Sequence, residues 1–492
     1  MRMRKPWWRL LSGSLAAAFS SALLAGAGAA TAPASATPKP TAHVTPTGTW
    51  GTAKELPGLA ALNKGGDATV YSVSCPSPGN CGAAGTYVDG ASKLQAFVAN
   101  QTNGSWGKAI EVPGIEALNV AGDADFITLS CASPGNCSAG GEYAVREGHF
   151  VQAFVVTETN GTWGKAIQVP GIQALSAADD AEVIAVSCAS PGNCSAGGHF
   201  GNGHGRQAFV VNQTNGTWGK AIQIPGTLRT RIGFADVASV SCRAPGNCTA
   251  GGGFTDRDHT GQPFVVRERN GTWGKAIRVP GIKLLSGAGD AGISGLSCAA
   301  ASDCSAAGSY EDSHGFFQAF LVNERNGTWK KAIEIPGTAA LNHQNASVGS
   351  LSCASPGNCS ASGIYTKRSL LDEPYVVTET NGTWGKAIEI PGIAALNRDG
   401  HAHVNSVSCG AAGNCSVGGD YLDVHLAQQA FVVHQAHGTW DKAIEVPGTA
   451  ALNKDGQASI ASLSCAAPGR CSAVGYYTDG RGRVQVFVVT ET

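Results

Sequence analysis

The stretch from residue 126 to residue 170 is FITLSCASPGNCSAGGEYAVREGHFVQAFVVTETNGTWGKAIQVP. Four runs in it, FITLSC, CSAGGEY, VQAFVVTET and TWGKAIQVP, are rich in β-branched and aromatic residues and predict four short β-strands. Ser-Pro-Gly-Asn joins the first two runs, and Asn-Gly joins the last two. Asn-Gly favours a two-residue hairpin because both residues accept a positive φ. The unit has no apolar period typical of a helix.

This unit is repeated along the chain. Every cysteine belongs to a pair with five residues between its members, and the pairs recur every 54 to 57 residues. A fixed period of this length is typical of propellers and solenoids. Four antiparallel strands in each of eight units predict an all-β fold, an eight-bladed β-propeller.

The two ends of the repeat region complement each other. Residues 48–57, GTWGTAKELP, form a fourth strand without the three that should precede it, and residues 484–492, VQVFVVTET, form a third strand without a fourth. Joined, they predict the eighth blade, which closes the ring and removes two exposed sheet edges. An open solenoid would need capping units instead, and we recognise none in the sequence.

The cysteine spacing places two sulfurs across the hairpin between the first and second strands, where disulfide geometry is within reach. Zinc sites need two or three pairs that converge on one ion, so we expect one disulfide in each blade and no metal. The expected disulfides join Cys75 and Cys81, Cys131 and Cys137, Cys188 and Cys194, Cys242 and Cys248, Cys298 and Cys304, Cys353 and Cys359, Cys409 and Cys415, and Cys465 and Cys471.

Each unit also carries one tryptophan in its fourth strand. Such a residue, repeated at one position per blade, is expected to pack between neighbouring blades, and the alternative is an aromatic platform for a ligand. The eight residues are Trp50, Trp106, Trp163, Trp218, Trp273, Trp329, Trp384 and Trp440.

Composition and the first residues bear on the compartment. Lys+Arg 34 against Asp+Glu 35 leaves no basic field that would attract a nucleic acid. Residues 1–36 combine early basic residues, an apolar stretch and a small-residue end, so they predict a signal peptide cleaved after Ala36 or after Ala32. Residues 37–46 predict a Pro/Thr-rich linker, and residues 47–492 a single propeller domain. No later apolar run is long enough for a transmembrane segment, so we expect a secreted, extracellular protein. The Ala-rich leader and the Ala/Gly-rich body are of bacterial type, and we expect a monomer.

The hairpin segment Thr157-Glu-Thr-Asn160-Gly161-Thr-Trp163 resembles the Asp-box hairpin of sialidase-like propellers, in which a turn glycine also precedes a tryptophan. Here the spacing from glycine to tryptophan is one residue shorter, and Thr159 stands where the aspartate would be. The Ser-Cys-x5-Cys units are similar to repeats of secreted actinobacterial propellers, related in style to kelch and Asp-box repeats. The resemblance implies the fold more than the function, because propellers include both enzymes and binding modules.

Comparison of the eight units predicts which face carries function. The turn within the cysteine pair and the Asn-Gly turn are nearly uniform and share one face, whereas the second-to-third-strand loops and the blade-to-blade connections vary and share the other. Specificity is expected on the variable face. There, the residues eight and six positions before each first cysteine are expected to surround the mouth of the central channel. The candidate ligand-binding residues among them are Asp67, Asp123, Asp125, Asp180, Glu182, Asp236, Asp290, His401 and His403.

Three hypotheses compete for this rim. The polar residues can satisfy free backbone donors through local Asx turns, bind a ligand or cation, or act as paired carboxylates or a histidine with a carboxylate in catalysis. Arg229 and Arg231 lie just upstream in the fourth unit. The remaining histidines, for example His149, His199, His204 and His259, are expected to be solvated in the variable loops.

The sequence contains no G-x-S-x-G, no H-E-x-x-H and no phosphate-binding loop. It therefore predicts no cofactor and no catalytic residue by motif. A binding module for a carbohydrate, a cell-envelope component or a protein is favoured. The alternative is a polysaccharide-acting hydrolase or lyase that uses carboxylates at the channel mouth.

Overall fold

The computed structural model describes residues 48–492 except 148–149, 177–179, 204, 228–232 and 399, and at 126–127 it describes the backbone alone. The predicted signal peptide and linker lie outside the described residues, as do Arg229, Arg231, His149 and His204. Predictions for these parts of the chain stay predictions.

Eight antiparallel sheets make up the described chain, each ordered first, second, third and fourth strand. The first strands number the blades from 1 to 8: Ala68–Ser77, Ala124–Ser133, Ala181–Ser190, Ala235–Ala244, Ala291–Ala300, Ala346–Ser355, Ala402–Ala411 and Ala458–Ala467. The second strands are Asn80–Val88, Asn136–Arg146, Asn193–Gly201, Asn247–Thr255, Asp303–Glu311, Asn358–Thr366, Asn414–Leu422 and Arg470–Thr478. The third strands are Leu94–Thr102, Phe150–Thr159, Arg206–Thr214, Gly261–Arg269, Phe317–Arg325, Asp372–Thr380, Gln428–Ala436 and Val484–Thr490.

The fourth strand differs from the continuous run expected from the sequence, because it consists of two short pieces that both pair with the third strand. In blade 2, Trp163 pairs with Glu158 and Ile167 pairs with Val155, and residues 164–166 between them leave the sheet. The first pieces are Ser105–Trp106, Thr162–Trp163, Thr217–Trp218, Thr272–Trp273, Thr328–Trp329, Thr383–Trp384 and Thr439–Trp440. The second pieces are Lys54–Glu55, Ile110–Glu111, Ile167–Gln168, Ile222–Gln223, Ile277–Arg278, Ile333–Glu334, Ile388–Glu389 and Ile444–Glu445.

Short helices follow the fourth strands, and the sequence analysis did not anticipate them. One turn is too short to show an amphipathic period, so the apolar pattern carries no helical signal. Each begins after a glycine with positive φ, for example 79° at Gly58. In the described residues they are Leu59–Leu62, Ile115–Leu118, Ile172–Leu175, Ile282–Ser286, Thr338–Leu341, Ile393–Leu396 and Thr449–Leu452.

The ring closes as predicted. Lys54 pairs with Val488 and Glu55 with Phe487, so the N-terminal fourth strand completes blade 8. The eight-bladed propeller is therefore confirmed.

All eight predicted disulfides are present, one in each blade, and each links the first strand to the second. Their Cα–Cα distances lie between 3.9 and 4.1 Å. The prediction of a disulfide rather than a metal ligand is thus confirmed for every cysteine. The second-strand cysteines Cys81, Cys137, Cys194, Cys248, Cys304, Cys359, Cys415 and Cys471 are bonded to the first-strand cysteines Cys75, Cys131, Cys188, Cys242, Cys298, Cys353, Cys409 and Cys465, respectively.

The apolar core lies between the blades. Each cluster of buried side chains joins two neighbouring blades, as where Val98 and Val112 of blade 1 pack with Leu129 and Trp163 of blade 2. Trp163 is 8% exposed and belongs to this cluster. The prediction that the tryptophans pack between blades is confirmed, because a ligand platform would leave the ring accessible.

A ring of hydrogen bonds joins the first strands around the axis. The hydroxyl of the serine before each first cysteine accepts from the backbone N–H of the first cysteine in the next blade, at 2.9 to 3.1 Å. Cys75 N–H to Ser464 Oγ closes the circle between blades 1 and 8. These contacts make the first strands the innermost ones and leave the central channel between them.

A second set of polar pairs, here called the inter-blade belt, joins the ends of the third strands. A buried glutamate or glutamine of one blade contacts a side chain on the third strand of the preceding blade. The glutamate pairs are Asn100 with Glu158, Asn212 with Glu268, Arg267 with Glu324, Asn323 with Glu379, and His434 with Glu491. The glutamine pairs are Thr157 with Gln213, Thr378 with Gln435, and Thr490 with Gln101. Every glutamine thus meets a threonine hydroxyl, and every glutamate meets an amide, guanidinium or imidazole.

Candidate binding site at the channel mouth

The two faces of the disc are built differently. On one, the turn face, the N–H of the hairpin glycine donates to a carbonyl of the cysteine loop, as from Gly104 to Gly79 at 2.8 Å, and the same bond recurs in blades 1 to 7 at the corresponding residues. Asn103 and Gly104 both have positive φ, as the Asn-Gly hairpin requires. The opposite face, the loop face, carries the second-to-third-strand loops and the blade-to-blade connections.

The loops of the loop face vary less in backbone than in sequence. In five blades the loop begins with an aspartate whose carboxylate accepts from the N–H groups two and four residues ahead. These aspartates are Asp89, Asp256, Asp312, Asp423 and Asp479. Blades 2, 3 and 6 have no aspartate at that position, so the variation of the loop face is concentrated there.

The residues eight positions before the first cysteine join neighbouring blades. Asp290 Oδ1 accepts from Gly261 N–H at 2.6 Å, and His401 Nδ1 accepts from Asp372 N–H at 3.0 Å, in each case from the third strand of the preceding blade. Asp67 and Asp123 are exposed and form backbone bridges to the preceding blade. Backbone donors are thus satisfied at Asp290 and His401, as one hypothesis expected, but the donor lies on the neighbouring blade and not in a local turn.

Blades 3 and 4 contribute a cluster that we call the aspartate–histidine cluster. His199 lies with Nε2 3.5 Å from Asp180 Oδ1 and Nδ1 3.8 Å from Glu182 Oε2. Arg206 places Nε 3.1 Å from Asp180 Oδ2 and Nη2 3.3 Å from Asp180 Oδ1. Asp236 of blade 4 lies close enough for its charge to interact with both His199 and Arg206. His199, only 2% exposed, was expected to be solvated, and that expectation is wrong.

The pKa values of Asp180 and Asp236 in this cluster shift in opposite directions. Burial opposes the charge of Asp180, but the hydrogen bonds and charges of His199 and Arg206 outweigh it and lower the pKa of Asp180 to about 2. Burial raises the pKa of Asp236 above its usual range, although His199 and a hydrogen bond from Gly253 N–H act against it. Both carboxyls interact with His199 and Arg206, and separated pKa values within one site are a common basis for acid and base roles.

Asp125 lies on the neighbouring first strand. Its Oδ1 accepts from the Tyr71 hydroxyl of blade 1 at 2.9 Å, and Glu142 stands directly across the strand pair. Burial, and then the charge of Asp125, raises the pKa of the Tyr71 hydroxyl, so the tyrosine remains a neutral donor. The carboxylate-rich side of the mouth thus extends from blade 1 to blade 5.

Blades 6 to 8 contribute a second group, here called the histidine cluster. The rings of His401 and His403 are nearly parallel, with an interplanar angle of 6° and centroids 6.3 Å apart. His403 Nδ1 lies 3.4 Å from Asp420 Oδ2, and His401 Nδ1 lies 3.7 Å from Asp372 Oδ2. The His403 and His401 side chains are 39% and 42% exposed, whereas that of Asp420 is 8% exposed.

Two hydrogen bonds fix the carboxylate of Asp420. Its Oδ1 accepts from Ser459 Oγ at 2.8 Å and from Asn405 Nδ2 at 3.3 Å, and Asn405 also donates to Ser459 Oγ at 3.0 Å. The hydrogen bond to Asp420 raises the pKa of His403, against the effect of burial. Burial, and then the charge of Asp420, also raises the pKa of Tyr476. A buried carboxylate therefore orients an accessible imidazole at the mouth.

The structure brings together predicted and unpredicted residues. Asp180, Glu182 and Asp236 meet in one cluster, and His401 and His403 meet in the other. The sequence analysis missed His199, Arg206, Asp420 and Asn405. A positional signal exists for two of them: the residue five places after each second cysteine pairs directly with the candidate six places before the first, as His199 with Glu182 and Asp420 with His403.

The channel below the mouth is lined by small side chains of the first strands of blades 2 to 6, such as Ala185, Ser239, Gly295 and Ser350. No group of three or more His, Cys, Asp and Glu side chains among the described residues is arranged to hold a metal ion. Within the same residues, no helix has the length and apolar character needed to cross a membrane.

No protein-family model matches the sequence, and no curated protein resembles it closely enough to count as a relative. Solved structures with a similar outline include a xyloglucanase from Xanthomonas campestris, with 12% identity, a TM-score of 0.45 and coverage of 88% of this chain. This chain spans 60% of the length of that xyloglucanase. An ulvan lyase shows 10% identity, a TM-score of 0.44 and coverage of 82% of this chain and 95% of its own. The Hadza microbial sialidase shows 11% identity, a TM-score of 0.34 and coverage of 81% and 73%. With TM-scores below 0.5 and identities of 12% or less, these likenesses assign no function to this chain.

Proposed function

We propose that this protein is a secreted binding module that recognises a carbohydrate, as a free polysaccharide or as part of a cell envelope, at the mouth of the channel on the loop face. Residues 1–36 would direct its export as a signal peptide. Eight disulfides support an oxidising compartment, since such bonds persist mainly in exported proteins. We also propose that this chain is related to secreted actinobacterial propellers whose repeats are similar in style to kelch and Asp-box repeats.

The observation that supports it most is the pair of preorganised polar clusters. Carboxylate, imidazole, amide and hydroxyl groups converge at one mouth, and buried partners fix several of them, as Arg206 fixes Asp180 and Ser459 fixes Asp420. A few convergent and fixed polar groups in a concavity are typical of small-molecule and sugar sites. Fixed groups lose little conformational freedom on binding, which favours affinity for a hydroxyl-rich ligand.

Thermal unfolding in the presence of polysaccharides and short glycans tests this proposal. A ligand at 100 times its dissociation constant adds about 2.7 kcal/mol of stability. We expect that shift in the wild type, and its loss when Asp180→Asn, Glu182→Gln and Asp236→Asn are combined. Asp303→Asn is the matched control, because it replaces a turn-face aspartate with the residue that most other blades have there. A shift that survives the triple variant, or a shift only with a protein partner, contradicts the proposal.

A hydrolase or lyase acting on a polysaccharide is the second candidate, and the separated pKa values of Asp180 and Asp236 favour it. In such an enzyme Asp236 would be the proton donor and Asp180 the carboxylate partner. Asp236→Asn should then abolish turnover while binding persists, whereas a binding module should show only a graded loss of affinity. Reducing-end release with each variant distinguishes the two.

A further inference from the structure

The outward nitrogens of the histidine cluster have a defined orientation. His401 Nδ1 accepts from Asp372 N–H, so a neutral His401 carries its proton on Nε2. His403 directs Nδ1 to Asp420, which leaves Nε2 on the other edge of the ring. Both rings are about two-fifths exposed at the mouth and nearly parallel. The cluster therefore presents two imidazole Nε2 atoms to a ligand: that of His401 is a donor, and that of His403 becomes a donor when the ring is protonated.

The carboxylates around these rings are already engaged by the protein. Glu373 accepts from Lys367 Nζ at 2.8 Å and from Asn397 Nδ2 at 3.1 Å. Asp372 Oδ1 accepts from Thr366 Oγ1 at 2.8 Å. Asp420 is bound by Ser459 and Asn405 as well as by His403. Each of these carboxylates has hydrogen-bond donors from the protein, whereas the two imidazoles and Lys367, which is one-third exposed, are accessible to solvent.

The rest of the mouth is lined by carboxylates instead of imidazoles. Asp67 and Asp123 are exposed, and Asp125 and Glu182 lie on neighbouring first strands around the same opening. An anionic group would be repelled by those carboxylates and attracted by the histidine cluster, because unlike charges at short range are favourable even in a partly hydrated cleft.

We propose that His401 and His403 form a subsite for the carboxylate of an acidic sugar, so that the glycan bound at the mouth contains uronic acid residues. The subsite rests on the proposed carbohydrate-binding function and specifies its ligand class. The protonated imidazole of His403 donates a charge-assisted hydrogen bond to the sugar carboxylate, and the Nε2–H of His401 donates a second hydrogen bond. Asp420 acts as a positioning residue for His403.

The titratable groups that face His403 set the pH dependence. They are Asp420, Asp372, Glu373 and the neighbouring His401. The hydrogen bond with Asp420 raises the pKa of His403, so the charged imidazole persists to a higher pH than in a free histidine. Affinity for the acidic sugar should be greatest at low pH and fall as the pH rises through that raised value.

The test compares a tetrasaccharide that contains one galacturonic acid residue with its methyl ester, since the ester keeps the hydroxyls and removes the one charge that the subsite would bind. At pH 6 we expect the wild type to bind the acid at least about tenfold more tightly than the ester, because a hydrogen bond to a charged group is worth about that much. The preference should decrease at pH 8. His403→Gln should remove most of it, and Asp420→Asn should move its loss to lower pH. His425→Gln, in an exposed loop of the same blade, is the matched control and should keep it.

Equal preference in the wild type and His403→Gln, or a preference that does not change with pH, overturns the subsite and leaves carbohydrate binding intact. If neither oligosaccharide binds, binding of these glycans is contradicted, and galacturonate itself then decides the subsite. Titration with that monosaccharide should shift the imidazole resonances of His403 and not those of His425. Unchanged His403 resonances overturn the subsite. Thermal unfolding of each variant verifies that it is folded.

Discussion

The inter-blade belt and the channel mouth are both rich in buried or half-buried polar residues, but they follow different rules. In the belt, each glutamate or glutamine has a partner on the preceding blade, one position before the equivalent residue there, and the pairing rule holds all round the ring. At the mouth, equivalent positions hold Thr69, Asp125, Gly292 and His403, and no rule relates one blade to the next.

This difference separates stability from function in a repeat protein. A polar group that recurs with the fold is needed by the interface in which it recurs. A polar group that departs from the repeat, and still has a buried partner to hold it, has no such structural requirement. His403 with Asp420 and His199 with Glu182 are of this second kind.

The largest expected effect concerns ring closure. Leu56 is fully buried, and its N–H donates to the carbonyl of Val486 of blade 8 at 2.9 Å. Leu56→Ala should lower the free energy of unfolding by about 2 to 5 kcal/mol, as for other large-to-small core substitutions. Ile390→Ala, at the equivalent position between blades 6 and 7, is the comparison, measured by denaturant unfolding. Similar losses are expected if closure is as tight as an internal interface, and a much smaller loss at Leu56 would contradict it.

A medium effect is expected when the belt pairing is altered. Burial raises the pKa of Glu158, although Asn100 donates to it. Because the unfolded chain ionises more readily, the wild type should lose stability relative to Glu158→Gln as the pH rises above the usual value of 4.5. In blades that carry glutamine at this position, the side-chain amide also donates to the carbonyl of the turn glycine, as from Gln213 to Gly216 at 3.3 Å. A glutamine at position 158 could donate to the Gly161 carbonyl in the same way.

Glu158→Gln sets an amide against the Asn100 amide, contrary to the pairing rule, and should destabilise the protein at pH 4 by on the order of 1 kcal/mol, with a smaller loss at pH 7, where burial opposes the charge of the wild-type carboxylate. The opposite exchange, Gln213→Glu, places a carboxylate against Thr157 and should destabilise by a similar or larger amount. Urea unfolding at pH 4 and pH 7 measures both. If Glu158→Gln raises stability at pH 4, or Gln213→Glu raises it at pH 7, the pairing rule does not describe the belt.

The smallest expected effect lies at the mouth. The pKa of His403 is raised in the folded protein, so its contribution to stability is complete below about pH 6.5 and is lost as the pH rises through the folded value. Asp420→Asn should reduce this pH dependence and lower the pKa of His403 measured by NMR. Because His403 is 39% exposed, solvent screening should limit the change to about 0.5 kcal/mol or less. An unchanged His403 titration would show that Asp420 does not govern it.

The sequence predicted the blades, the disulfides and the closing strand because each depends on local signals that repeat, such as Ser-Cys before a Pro-Gly turn and Asn-Gly between strands. It placed His403 and Asp180 at the mouth by counting from the cysteines. It did not predict the break after Trp163 in the fourth strand, since Gly-Lys at 164–165 carries no strong turn signal. Nor did it predict that Asp420 and His199 lie behind the rim, because that depends on the register between the first two strands.

The belt also bears on how such a ring can evolve. A glutamine-bearing blade fits only after a blade with threonine at the preceding position, and a glutamate-bearing blade only after one with asparagine, arginine or histidine. Duplication or exchange of a single blade can therefore create a mismatched seam, whereas a block whose end residues match its new neighbours can be inserted without one. The pairs thus act as a compatibility code that restricts which recombination events give a stable ring.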